Sequence, residues 1–113
     1  MTEQISARLV AALNHLAQTR HCITYGALAA QIGLDGPGRI RRLTDLLEAL
    51  MEEDAARGRP LRAALVTGKA SGGVPAPGFF LKASALGLCP YPLPPERAKA
   101  FHDAQLEALF AAS

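Results

Sequence analysis

Apolar side chains recur at Ile5, Leu9, Ala12, Leu13 and Leu16, with Arg8, Asn14, His15 and Gln18 set between them. Spacings of three and four place the first group on one helical face, so the pattern predicts a first helix over residues 5–18. His21-Cys22-Ile23-Thr24 is short and tolerant of extended structure, and Ile23 is placed to add a short strand to a sheet. Thr24 carries the hydroxyl that an N-cap needs ahead of a second helix over 25–32, which is expected to stop at Gly33. Asp35-Gly36-Pro37-Gly38 is dense in turn residues, and Ile40, Leu43, Leu46, Leu47, Leu50 and Met51 then predict a third helix to about residue 56.

The pattern changes at Gly58-Arg59-Pro60, which breaks the helix. Partial alternation predicts a strand over 61–67, and a loop from 68 to 78 rich in glycine and proline follows it. Phe79-Phe80-Leu81 reads as a return to extended structure, with the two rings on opposite faces, and 82–86 as a short helical turn before Gly87. Pro90, Pro92, Pro94 and Pro95 predict a stiff connector, and Ala98, Phe101, Leu106, Leu109 and Phe110 give a closing helix over 96–112 a wide apolar face. Either the first helix or the same helix of a second subunit, in a homodimer, has to cover that face; the sequence leaves both open. The predicted fold is mainly α with a small antiparallel β wing: a winged helix-turn-helix over 1–87, a connector over 88–95 and a C-terminal helix over 96–113.

At 113 residues, half of them hydrophobic, the chain suits one core. No apolar run nears the roughly 20 residues of a membrane span, and no apolar leader is visible, so a cytoplasmic protein without a membrane partner is expected. Cys22 and Cys89 stand far apart and read as separate thiols in a reducing compartment. The net charge of +2 decides little, but its distribution does. Residues 55–95 contain no Asp or Glu yet carry Arg57, Arg59, Arg62, Lys69 and Lys82. Arg39, Arg41 and Arg42 open the third helix, where the helix dipole prefers anions, and Glu52, Glu53 and Asp54 crowd its other end, where cations are preferred. An anionic partner would turn the basic end to advantage.

Residues 24–80 resemble the winged-helix superfamily in element order and in the composition of the predicted wing, over roughly half of the chain. Ile23-Thr24-Tyr25-Gly26-Ala27-Leu28-Ala29 is similar to the opening of the DNA-binding domain of O6-alkylguanine alkyltransferases and alkyltransferase-like proteins. Those enzymes carry Pro-Cys-His-Arg after the recognition helix. The corresponding Arg59-Pro60-Leu61-Arg62 has neither the Cys nor the His, so alkyl transfer, which needs an activated thiolate, does not carry over. Arg59-Pro60-Leu61 and Pro77-Gly78-Phe79-Phe80 also resemble strand openings in bacterial winged-helix proteins of no assigned activity.

The resemblance implies binding of double-stranded DNA, with the third helix in the major groove and the 68–78 loop against the backbone. Arg39, Arg41 and Arg42 are the candidates for phosphate or guanine contact; Arg39 and Arg42, three apart, share a face best. Lys69 and Ser71 are candidates in the loop, Arg59 and Arg62 along a phosphate track, and Tyr25 as a hydroxyl donor to phosphate. Competing readings are internal pairing of Arg57 and Arg59 with the preceding acids, and core packing of Tyr25. His15, His21, His102 and the two cysteines lack the spacing of a metal site, and neither GxSxG nor a Walker loop is present. No cofactor, metal or enzymatic activity is therefore expected, and a role in transcription regulation or as a DNA-associated accessory protein is the expected function. The alternative is a winged-helix module for protein interaction or dimerisation without DNA binding.

Overall fold

The computed structural model describes residues 2–69 and 73–112. Helix α1 (Thr2–Thr19) packs Leu9, Ala12, Leu13 and Ala17 into the core. It ends with Arg20 in the left-handed region (φ 59°), where the His21 N–H reaches back to Leu16 O. Strand β1 (Ile23–Thr24) leads directly into α2 (Tyr25–Ile32), whose first turn is capped by Thr24 Oγ1 accepting from the Ala27 N–H at 3.3 Å. Gly33 closes α2 at φ 88°, a conformation that glycine adopts without a Cβ penalty, and the Leu34 N–H then satisfies Ala29 O at 2.8 Å. Helix α3 (Arg39–Ala56) buries Leu43, Leu47, Met51 and Asp54, one stripe at intervals of three and four.

The segment predicted to form a wing folds differently. Of the segment expected as a strand, Arg62–Leu65 forms a 3₁₀ turn and only Val66–Thr67 is extended, as β2. Ile23 does pair with this segment, but β1 and β2 run parallel, with Ile23 opposite Val66 and Thr24 opposite Thr67, so the antiparallel arrangement is corrected. Phe79-Phe80-Leu81 belongs to a helix, α4 (Pro77–Ala85), rather than to a second wing strand. Pro77 fits the first turn of a helix, where its fixed φ helps and its missing N–H is not needed. On that helix Phe79 and Phe80 both reach the core, edge to face at 5.1 Å, instead of pointing to opposite sides.

Helix α5 (Pro95–Ala111) folds back onto its own chain. Leu109 is buried, and Phe101 joins Phe79 and Phe80 at ring separations of 6.2 and 6.4 Å. Two α5 side chains also satisfy backbone groups of the 3₁₀ region: Gln105 Oε1 accepts from the Leu61 N–H at 2.8 Å, and the buried His102 has Nε2 2.8 Å from Ala64 O. Arg20 lies over the Phe110 ring at 5.8 Å, tying the end of α1 to the end of α5. Among the described residues, no helix is long and apolar enough to cross a membrane.

Candidate nucleic-acid interface

The turn between α2 and α3 delivers the basic residues to the surface. Gly38, at φ 77°, stands at the N-cap of α3 and offers no side-chain cap, and Arg39, Ile40, Arg41 and Arg42 are all exposed beyond it. Arg42 Nη2 donates back to Asp35 O, and Arg41 Nε lies 3.5 Å from Asp45 in an exposed i,i+4 pair. Such a pair contributes only about 0.3–0.5 kcal/mol, so it yields readily to a better anion. The Arg39 guanidinium has neither an ion pair nor a hydrogen bond among the described residues.

Along α3 the basic residues are confined to the first turn. Arg41 heads a row in which Asp45, Glu48 and Glu52 follow at helical spacing, and Lys82 of α4 pairs with Glu52 and lies within electrostatic reach of Glu48. Laid along a major groove, this row would bring carboxylates towards phosphates. An end-on approach through residues 39–42 avoids that repulsion.

Of the predicted phosphate track Arg62 is turned inwards, whereas Arg59 stays exposed while pairing with the same acid. Asp54, fully buried at 0 % exposure, accepts from Arg62 Nε at 3.0 Å and from the Arg62 backbone N–H at 3.0 Å, and it lies 3.2 Å from Arg59 Nη2. Arg62 Nη2 is 2.9 Å from the same carboxylate but off the direction of a hydrogen bond, so that contact is ionic. Arg59 also meets Glu53 at 3.3 Å, and Arg57 lies 4.0 Å from it. The chain reversal after α3 thus carries cations back to the helix C-terminus and relieves the unfavourable charge placement there. A signal for this lay in the sequence: Asp54 continues the stripe Leu43, Leu47, Met51, where a carboxylate needs a buried partner.

Lys69 is exposed just after β2. Because β1 and β2 are parallel, Lys69 leaves the sheet on the same side as Thr24 and the start of α2, whereas Arg39 follows the far end of α2. Ser71 lies outside the described residues. Tyr25 is half-buried, and its hydroxyl oxygen accepts the Ala76 N–H at 3.0 Å, which joins α2 to the segment entering α4. Burial pushes its phenol pKa up, with the Ala76 bond opposing, and the hydroxyl proton is not used in that bond.

Thiol and metal chemistry gain no support from the arrangement. Burial raises the pKa of both Cys22 and Cys89, which disfavours the thiolate, and the two are not joined. Among the described residues, no group of three or more His, Cys, Asp or Glu side chains is placed to hold a metal ion. No family model, curated protein or solved structure matches the chain.

Proposed function

We propose that this protein binds double-stranded DNA through a helix-turn-helix in which the first turn of α3 meets the duplex, as a regulator of transcription or a DNA-associated accessory protein. The observation that carries the reading is the exposed start of α3 without a side-chain cap, where Arg39, Arg41 and Arg42 follow one another with no acid in that turn and Arg39 has no partner among the described residues. Phosphate oxygens offer what that turn lacks: negative charge at the positive end of the helix dipole, and acceptors for guanidinium forks. In this reading Lys69, at the other end of α2, stands apart from the α3 contact, while Arg59 and Arg62 serve the fold and Tyr25 positions the segment that follows the loop. The decisive experiment is duplex binding across a salt series by the wild type and by Arg39→Ala/Arg42→Ala. A double variant with the affinity and salt slope of the wild type would take α3 out of the interface.

A second reading rests on a different observation. Leu81, Leu88 and Tyr91 are 54 %, 41 % and 53 % exposed in the α4–α5 region, and such apolar residues suit a protein partner. No duplex binding at low salt, together with a dimeric mass by light scattering, would favour it.

A further inference from the structure

One cation outside the predicted set reaches the α2–α3 turn from another helix. Arg8 of α1 places Nη1 3.5 Å from Ile32 O and only 2.9 Å from where a Cβ on Gly33 would sit. The same Gly33 borders two surface depressions, one shared with Asp35 and Arg42 and the other with Gly36 and Arg39. Gly33 is therefore a neighbour that Arg8 shares with the depressions bordered by Arg39 and by Arg42, although Arg8 is more than thirty positions away from the others in sequence. Arg8 is exposed and has no ion pair among the described residues. Its contact with Ile32 O is long, so it steers the guanidinium towards the negative end of α2 and leaves its other N–H groups available.

We propose that Arg8 contacts a backbone phosphate of bound DNA, giving the interface an arm from α1 beside the first turn of α3; this rests on the DNA-binding reading above. With Arg8 included, four exposed arginines (8, 39, 41 and 42) stand against two exposed aspartates (35 and 45) on α1, the α2–α3 turn and the start of α3. Phosphate is the anion that fits. A planar guanidinium meets two of its oxygens at once, and contacts from separate elements fix the protein's approach without reading sequence.

The test is fluorescence anisotropy of a labelled random-sequence duplex with the full chain over a salt series, using Arg8→Gln, Arg8→Lys and Arg39→Ala/Arg42→Ala. Arg8→Gln is expected to weaken binding several-fold at low salt and to reduce the slope of log K against log salt by roughly one, while Arg8→Lys keeps the slope. A role limited to holding Ile32 O would move the melting temperature but leave the slope alone. A wild-type slope in Arg8→Gln, with a reduced slope in the α3 double variant, would overturn the assignment of Arg8 and leave the parent reading standing. A wild-type chain that binds no duplex at low salt would overturn both.

Discussion

The carboxylate of Asp54 and the guanidinium of Arg62 meet inside the protein, with Oδ1 3.0 Å from Nε and Oδ2 holding the Arg62 backbone N–H at 3.0 Å. The pair joins the end of α3 to the 3₁₀ turn under α5, beside a chain reversal that Gly58 at φ 64° and the Arg59 N–H to Asp54 O bond close. Desolvating Asp54 is compensated only while both arginines remain. Asp54→Asn leaves Arg62 and Arg59 with Glu53 as their remaining acid, at 3.8 and 3.3 Å, and removing one partner of a buried pair costs on the order of 3 kcal/mol. The expected outcome is a melting temperature lower by at least about 10 °C. Arg57→Ala, at an exposed site, should stay within about 0.5 kcal/mol of wild type. Equal melting temperatures for the two variants would refute this account.

Tyr25, which joins α2 to the segment entering α4, couples stability to pH. Its phenol pKa is raised in the folded protein, mainly by burial, so the neutral form is favoured there. The stabilisation is complete below the unfolded value of about 10 and is lost as pH rises through the higher folded value. Lys82, raised through its hydrogen bond with Glu52, shifts stability in the same direction. Comparison with Tyr25→Phe isolates the tyrosine. That variant should lose about 1 kcal/mol at neutral pH, because the Ala76 N–H loses its acceptor, and should show a shallower fall in stability above about pH 10. Urea titrations at pH 7 and pH 10.5 check both statements, and parallel losses in the two proteins would exclude Tyr25 as the source.

The α2 C-terminus offers a backbone test. At Gly33 the φ of 88° strains any L side chain, and a Cβ would also meet Arg8 Nη1 at 2.9 Å. The arginine is long enough to move aside, so the backbone supplies most of the cost. Gly33→Ala is expected to lose about 1–2 kcal/mol and Gly33→Asn less, because Asn tolerates the left-handed region. Chemical denaturation of both variants is the check; an alanine variant as stable as wild type would mean that the turn relaxes to another conformation.

How far the fold was legible depended on how locally each element is specified. The helices over Thr2–Thr19, Tyr25–Ile32, Arg39–Ala56 and Pro95–Ala111 announce themselves through apolar stripes, the Thr24 cap and the Gly33 stop. The segment Pro77–Ala85 does not: it is short, contains Gly78 and two adjacent aromatics, and becomes helical through the burial of Phe79, Phe80 and Ala83. The antiparallel expectation failed with it. Without a second wing strand, Val66–Thr67 finds its partner in Ile23–Thr24 across a long helical connection, which permits parallel pairing. At the candidate site, the exposure of Arg39, Arg41 and Arg42 follows from helix position alone. The inward turn of Arg62 and the approach of Arg8 to Ile32 depend on contacts between distant segments, which periodicity does not encode.

Asp45 provides the sharpest separation of stability from recognition. It pairs with Arg41 on the solvent side, where both side chains are well exposed, so Asp45→Asn should leave the melting temperature nearly unchanged. Its effect on DNA has the opposite sign to that of the arginine variants. Losing this carboxylate frees Arg41 and removes a charge that repels phosphate near the first turn of α3. Under the proposed reading, Asp45→Asn binds duplex several-fold more tightly at low salt, and the gain shrinks as salt screens the site. A protein-interaction module that uses Leu81, Leu88 and Tyr91 would show no such gain, because those residues belong to the α4–α5 region rather than to this end of α3. Binding by Asp45→Asn and wild type at two salt concentrations therefore discriminates between the two readings through a gain of affinity, an outcome that partial unfolding of the variant does not mimic.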